Sequence, residues 1–194
     1  MHTPEVSDQM CYLSSKSAEL RGTFVLNGEF TIRSTMISMF LHNCLMTLRK
    51  YDMAFFYLRE AITMMLMLRM DDTATMSKLD VQERARRQRP YWAALIQERF
   101  LAIADHRQVM LPPLGSGTPE LDPSLPPGVH EGFTRIIELF SLVDDEFLRN
   151  WLSSLSSSAS TTVTARWIEQ KHRELEDKEL LHPCPCLPVV AQRA

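Results

Sequence analysis

Four arginines, Arg84, Arg86, Arg87 and Arg89, fall within one short stretch and make the single basic run of note in the chain. Guanidinium groups collected in this way can grip a phosphate or another anion through paired hydrogen bonds. The same spacing on a helix also lets arginine stems cover the core while their heads pair with nearby acids such as Glu83. On the residues alone both readings stay open, and the second is preferred. The four arginines are the candidate regulatory or anion-contact cluster.

Other reactive residues fall short of a working arrangement. His182, Cys184 and Cys186 stand close together in a His-Pro-Cys-Pro-Cys run. They offer three soft ligands where structural zinc takes four, so an inert tail is expected. His130-Glu131 opens like a zinc-protease helix, but Thr134 occupies the place of the second histidine. Asp144, Asp145 and Glu146 are consecutive acids of the kind found on a solvated helix face, not two carboxyls opposed across a cleft. Gly115-Ser-Gly117 lacks the Lys-Ser/Thr step of a phosphate loop. Cys44 falls on an apolar helix face and reads as a small core residue. No catalytic, cofactor-binding or metal-ligating residue is therefore predicted, and no enzyme activity.

The elements that must hold these residues are helical. From Thr31 to Lys50 the apolar positions Ile37, Phe40, Leu41, Cys44, Leu45 and Leu48 recur at helix spacing, with Arg33, Ser34, Ser38 and Asn43 on other faces. Met53 to Met70 is apolar nearly all round except Arg59, Glu60 and Thr63, which predicts a central, mostly buried helix. Asp80 followed by Glu83 marks a reciprocal cap that starts a third helix, carrying Ala85, Trp92, Leu95, Ile96, Phe100 and Ile103 inward. Pro90 predicts a kink or restart within it. Residues 112–128 hold six of the eleven prolines and three of the six glycines, a connecting loop. A fourth helix follows from Val129 to Trp151, then a serine-rich link at 153–160 and a charged peripheral helix over Thr162 to Leu181.

The sequence thus predicts an all-α domain of about five helices over 31–181, between a loosely ordered segment 1–30 and a disordered tail 182–194. The 194 residues carry a formal charge of −3, which gives no global footprint for nucleic acid. Four scattered cysteines and a start without a secretory pattern suggest a reducing compartment. The longest apolar stretches are too short for a membrane span. Twelve methionines suggest a pliable core.

The order of residues from Phe55 to Leu114 adds a resemblance. Phe56-Tyr-Leu-Arg-Glu-Ala-Ile62, Leu68-Arg-Met-Asp-Asp72, Glu83-Arg-Ala-Arg-Arg-Gln-Arg-Pro-Tyr-Trp92, Glu98-Arg99, Asp105-His-Arg107 and Leu111-Pro-Pro-Leu114 follow one another in a fixed order. Together they resemble the middle homology region of fungal zinc-cluster transcription factors, most nearly the sugar-responsive maltose-type activators. The likeness extends from Thr31 through Glu131-Gly-Phe133 to Trp167-Ile-Glu169-Gln-Lys171. It departs from the family at Pro90, where a helix former is usual, and at Asp105-His106-Arg107-Gln108, where Gly-Arg-Pro is usual. Cys11 and Cys44 are too far apart for the family's six-cysteine zinc cluster.

The resemblance implies a shortened all-α regulatory domain in which the Glu83 to Trp92 helix organises the fold and Trp92 packs inward. It implies a nuclear, non-enzymatic regulator of a sugar-utilisation or secondary-metabolite gene set. The DNA contact would come from a protein partner, such as a full-length relative, and a small-molecule effector would be sensed. Direct sequence-specific DNA binding and membrane association are not expected. The rival expectation is a helical small-molecule-binding protein or enzyme unconnected with transcription.

Overall fold

A computed structural model describes residues 4–21, 30–122, 125–153 and 164–181. The described residues form eight helices and no strand, an all-α protein. In chain order these are α1 (Pro4–Arg21), α2 (Ile32–Thr47), α3 (Tyr51–Met67), α4 (Thr73–Ser77), α5 (Val81–Asp105), α6 (Pro127–Ser141), α7 (Asp145–Ser153) and α8 (Ala165–Leu181). None is long and apolar enough to cross a membrane. The chain forms two compact units that divide after Pro127.

In the first unit α2 and α3 form the most extensive helix pair, with α5 against both and α1 against α2. Leu41, Ala54, Leu58, Ala61, Ile62, Met64, Met65, Tyr91, Ala94 and Leu95 fill the core between them. The small side chains Ala54 and Ala61 let α3 approach its neighbours closely. Methionine does fill the core, at Met39, Met64, Met65, Met70 and Met76. The helix ends are explicit in the chemistry. Thr31, Asp72 and Asp80 accept hydrogen bonds from first-turn amides at the starts of α2, α4 and α5. At the other ends Arg49, Arg69 and His106 adopt positive φ of 58°, 54° and 54°. The next residue then bonds back into the last turn: Lys50 N to Leu45 O, Met70 N to Met65 O and Arg107 N to Leu101 O.

The second unit is described by itself. Phe147, Trp151 and Trp167 form an aromatic cluster, with Phe147 5.7 Å from Trp167 and 6.3 Å from Trp151. Asp144 caps α7 by accepting from Phe147 N at 2.8 Å, and its second oxygen accepts from Lys171 Nζ at 2.5 Å. Lys171 also donates to Glu174 at 3.0 Å.

Several expectations are revised. Eight helices replace about five. One of the additional helices, α1, lies within the segment expected to be loosely ordered, and another is the single-turn α4. The helix expected from Val129 to Trp151 divides at Leu142–Asp144, because Asp144 starts a new helix by capping it. α5 runs unbroken for 25 residues through Pro90, with no restart. Its cap at Asp80 is one-sided: Asp80 accepts from Glu83 N at 2.9 Å, while the Glu83 carboxylate turns instead to Arg87 Nε at 2.8 Å and Arg86 at 3.5 Å. Phe40 and Phe100, expected inward, are exposed, whereas Ser38 is buried and donates to Glu60 at 2.8 Å. The tail 182–194 and the serine-rich link beyond Ser153 lie outside the described residues.

Candidate regulatory site

One face of α5 carries Gln88, Tyr91, Trp92, Leu95, Glu98 and Ala102, residues three or four apart that helix geometry stacks in a row. All six are buried. The segment that follows α5, from His106 to Asp122, runs back along this face as a strap. Prolines at 112, 113 and 119 deny it a helix of its own, so its backbone groups must find partners elsewhere.

They find them in the polar tips of that face. Glu98 accepts from Met110 N at 2.9 Å with one oxygen and from Leu111 N at 2.8 Å with the other. Tyr91 OH donates to Pro112 O at 2.8 Å. Trp92 Nε1 donates to Gly117 O at 3.0 Å, and Gln88 Nε2 to Ser116 O at 3.0 Å. Leu111 and Leu114 are buried, and Gly117 has φ of 81°, a conformation that favours glycine. Burial, with the nearby Asp71 and Glu98 carboxylates, pushes the Tyr91 phenol far above its ordinary pKa, so it remains a donor.

Arg59 of α3 completes the clamp by donating to both Glu98 Oε1 and Gln108 O. Its guanidinium lies 4.8 Å from the centre of the Phe55 ring, and that of Arg107 lies 4.6 Å from the same ring. Behind the clamp, His42 sits fully buried with Nδ1 2.9 Å from Ala54 O. Burial holds the pKa of its imidazole below the ordinary value, against the opposing effect of its hydrogen bonds with the Ala54 carbonyl, which accepts, and with Gln97.

The four arginines sit on the first turns of α5, each with an acid partner. Arg84 meets Glu120 at 3.6 Å and Arg89 meets Asp122 at 3.2 Å, both on the strap. Arg86 and Arg87 share Glu83. The structure therefore gathers Arg84, Arg86, Arg87 and Arg89 on one helix and largely neutralises them. Surface pairs of this kind are worth about 0–1 kcal/mol each.

No group of three or more His, Cys, Asp or Glu side chains able to hold a metal occurs among the described residues. Cys44 is buried, and His182, Cys184 and Cys186 lie outside the described residues. Asp144 serves as a cap, not as half of a carboxyl pair. An open groove of about 860 Å3 lies where α2 ends, α3 begins and α5 ends, lined by Arg49, Lys50, Tyr51, Phe55, Phe100 and Arg107 among others. Sequence reasoning missed Gln88, Tyr91, Glu98 and Arg59 as the strap's holders. The available signal was their polarity on faces otherwise apolar.

The chain is 26% identical over 148 residues, 75% of its length, to a probable sucrose utilization protein, SUC1, of Candida albicans. It spans only 29% of that relative's length. No family model and no solved structure matches it.

Proposed function

We propose that this protein is a non-enzymatic transcriptional regulator of a sugar-utilisation gene set, acting in the nucleus. The observation that carries the reading is the clamp: of the residues in which the family resemblance is written, Glu98 accepts from Leu111 N, Tyr91 donates to Pro112 O, and Trp92 holds the same strap through Gly117 O. The partial likeness to a sucrose utilization protein favours sugar utilisation over a secondary-metabolite cluster. Arg84, Arg86, Arg87 and Arg89 each lie beside an acid, which leaves little net positive charge there for DNA, and the contact to promoter DNA is made by a protein partner. A small-molecule effector would enter the open groove beside Tyr51 and Phe100, whose aromatic faces and neighbouring charged groups suit a polar ring.

Deletion of the gene followed by transcript profiling after a shift from glucose to sucrose or maltose tests the proposal. Coordinated loss of induction across a sugar-utilisation set is the expected result. Induction identical to that of the parent strain would refute it.

A further inference from the structure

Phe100 falls on the apolar side of α5 by sequence spacing, yet it stands 47% exposed, and Tyr51 at the start of α3 is 56% exposed. Both line the groove of about 860 Å3 where α2 ends, α3 begins and α5 ends. Phe55, the remaining ring of this groove, already has the guanidiniums of Arg59 and Arg107 over it. Tyr51 and Phe100 therefore supply the open aromatic surface. The C–H groups of a sugar ring are apolar enough to pack on such a surface while its hydroxyls turn to polar neighbours.

The charged groups of the groove are sorted. Its lining carries three cations, Arg49, Lys50 and Arg107, against two acids, Asp52 and Asp105. The acids gather around Arg107, Asp105 at 2.6 Å and Asp52 at 3.8 Å. Arg49 and Lys50 sit in the turn between α2 and α3, next to Tyr51 in the chain, and leave the groove with a net positive charge. Lys50 also takes the cap position of α3 without a capping side-chain bond, so the partial positive charge of the helix start adds to theirs.

The geometry points to a sugar phosphate as the occupant. Its phosphate lies on Arg49 and Lys50, its ring packs against Tyr51 and Phe100, and its hydroxyls donate to the Asp52 carboxylate, which is open to solvent. This rests on the reading of the groove as the effector's entry, and it narrows that effector from a polar ring to one bearing an anionic group. A neutral sugar makes no use of the two cations. A phosphodiester chain that runs on past them meets Asp52 and Asp105 and is repelled.

Isothermal titration calorimetry on the intact protein tests this, with glucose 6-phosphate and sucrose 6-phosphate as probes, one ring and two, since a groove of this size admits either. At least one probe should bind with Kd below about 1 mM, and glucose, sucrose and inorganic phosphate should each bind about tenfold more weakly or worse. The double variant R49Q/K50Q should weaken sugar phosphate binding about tenfold or more, as the loss of charge-assisted hydrogen bonds implies. Tyr51→Ala should weaken sugar phosphate binding and leave that of inorganic phosphate unchanged. These three positions are exposed, and circular dichroism checks that the helices persist. R84Q/R89Q, altered on the first turns of α5, should bind as wild type does. Several results would overturn the proposal: no binding of either probe at about 10 mM, equal affinity for inorganic phosphate or for the free sugar, or affinity that survives R49Q/K50Q. So would a duplex oligonucleotide that displaces the bound probe. Loss of sugar-gene induction on deletion, with no binding here, would leave the regulator standing and remove the sugar phosphate alone.

Discussion

Leu111 donates its amide to Glu98 Oε2 at 2.8 Å, thirteen positions back along the chain, and this bond turns the proline-rich segment into part of the domain. A strap of residues that cannot form a helix or sheet would otherwise leave peptide groups without partners beside an apolar surface. The buried carboxylate gives two of them an acceptor and is itself met by Arg59. Sequence, packing and the candidate site thus converge on one side chain.

Replacing Glu98 by alanine should therefore be among the most damaging single changes. It leaves the Met110 and Leu111 amides without their acceptor and the half-buried Arg59 without its counter-charge. Losing one member of a buried pair costs about 3–5 kcal/mol. Urea unfolding followed by circular dichroism should show a loss of that size, and a change below about 1 kcal/mol would mean the clamp contributes no more than an ordinary hydrogen bond. Arg59→Met combined with Glu98→Ala should cost less than the sum of the two single changes.

Acid should weaken the fold through His42. Burial lowers its pKa in the native state below the ordinary 6.5, so the unfolded chain binds the proton first as pH falls. Stability contributed by the neutral imidazole is present above pH 6.5 and is lost as pH drops from there toward the lowered native value. Thermal melts at stepped pH should show this decline, and His42→Gln, which can still donate to Ala54 O, should flatten it. An unchanged slope in the variant would assign the acid sensitivity to other groups.

Arg69 ends α3 at φ of 54°, where a side chain bearing Cβ is strained and glycine is not. Arg69→Gly should raise stability by about 1 kcal/mol, less whatever the arginine contributes near the helix C-terminus and to Asp72. Gly117→Ala should act in the opposite sense, since Gly117 has φ of 81° and its carbonyl must stay aimed at Trp92. Chemical denaturation of the two variants side by side checks both signs.

What could be read from the sequence follows from how local each cause is. The Asp80 cap was legible because its partner is the amide three residues on, and so was the start of the proline-rich loop at Pro112, but its expected end at Gly128 was too late: α6 begins at Pro127, since proline is tolerated in the first turn of a helix. The inward packing of Trp92 followed from its place on the apolar side of the third helix, and the resemblance implied it too. The break at Leu142–Asp144 was hidden because Phe140, Val143 and Phe147 keep helical spacing across it. α1 offered no apolar seam: Val6, Tyr12 and Leu13 are exposed. Glu98 stood out only as a polar residue on an otherwise apolar face; its partners, Met110, Leu111 and Arg59, could not be read because pairing across such distances leaves no local periodicity. Arginine neutralisation by Glu120 and Asp122 was hidden for the same reason.

That neutralisation leads to the last prediction, that this polypeptide does not by itself recognise a DNA sequence. Specific readout requires side chains presented to base edges and phosphate contacts that fix their register. Arg84, Arg86, Arg87 and Arg89 are the chain's densest cationic group, yet Glu83, Glu120 and Asp122 lie beside them and offset their charge. Their helix is fixed to the core by the buried Tyr91, Trp92 and Leu95, so it cannot swing out to enter a major groove. What remains is weak attraction to phosphate that fades as salt rises. A gel shift of purified protein on promoter fragments of candidate target genes, run from low to physiological salt with competitor DNA, should show at most a diffuse low-salt complex. A discrete complex surviving physiological salt and competitor would refute the prediction. If E120Q/D122N alone formed such a complex, the acidic end of the strap would be what keeps the wild type off DNA.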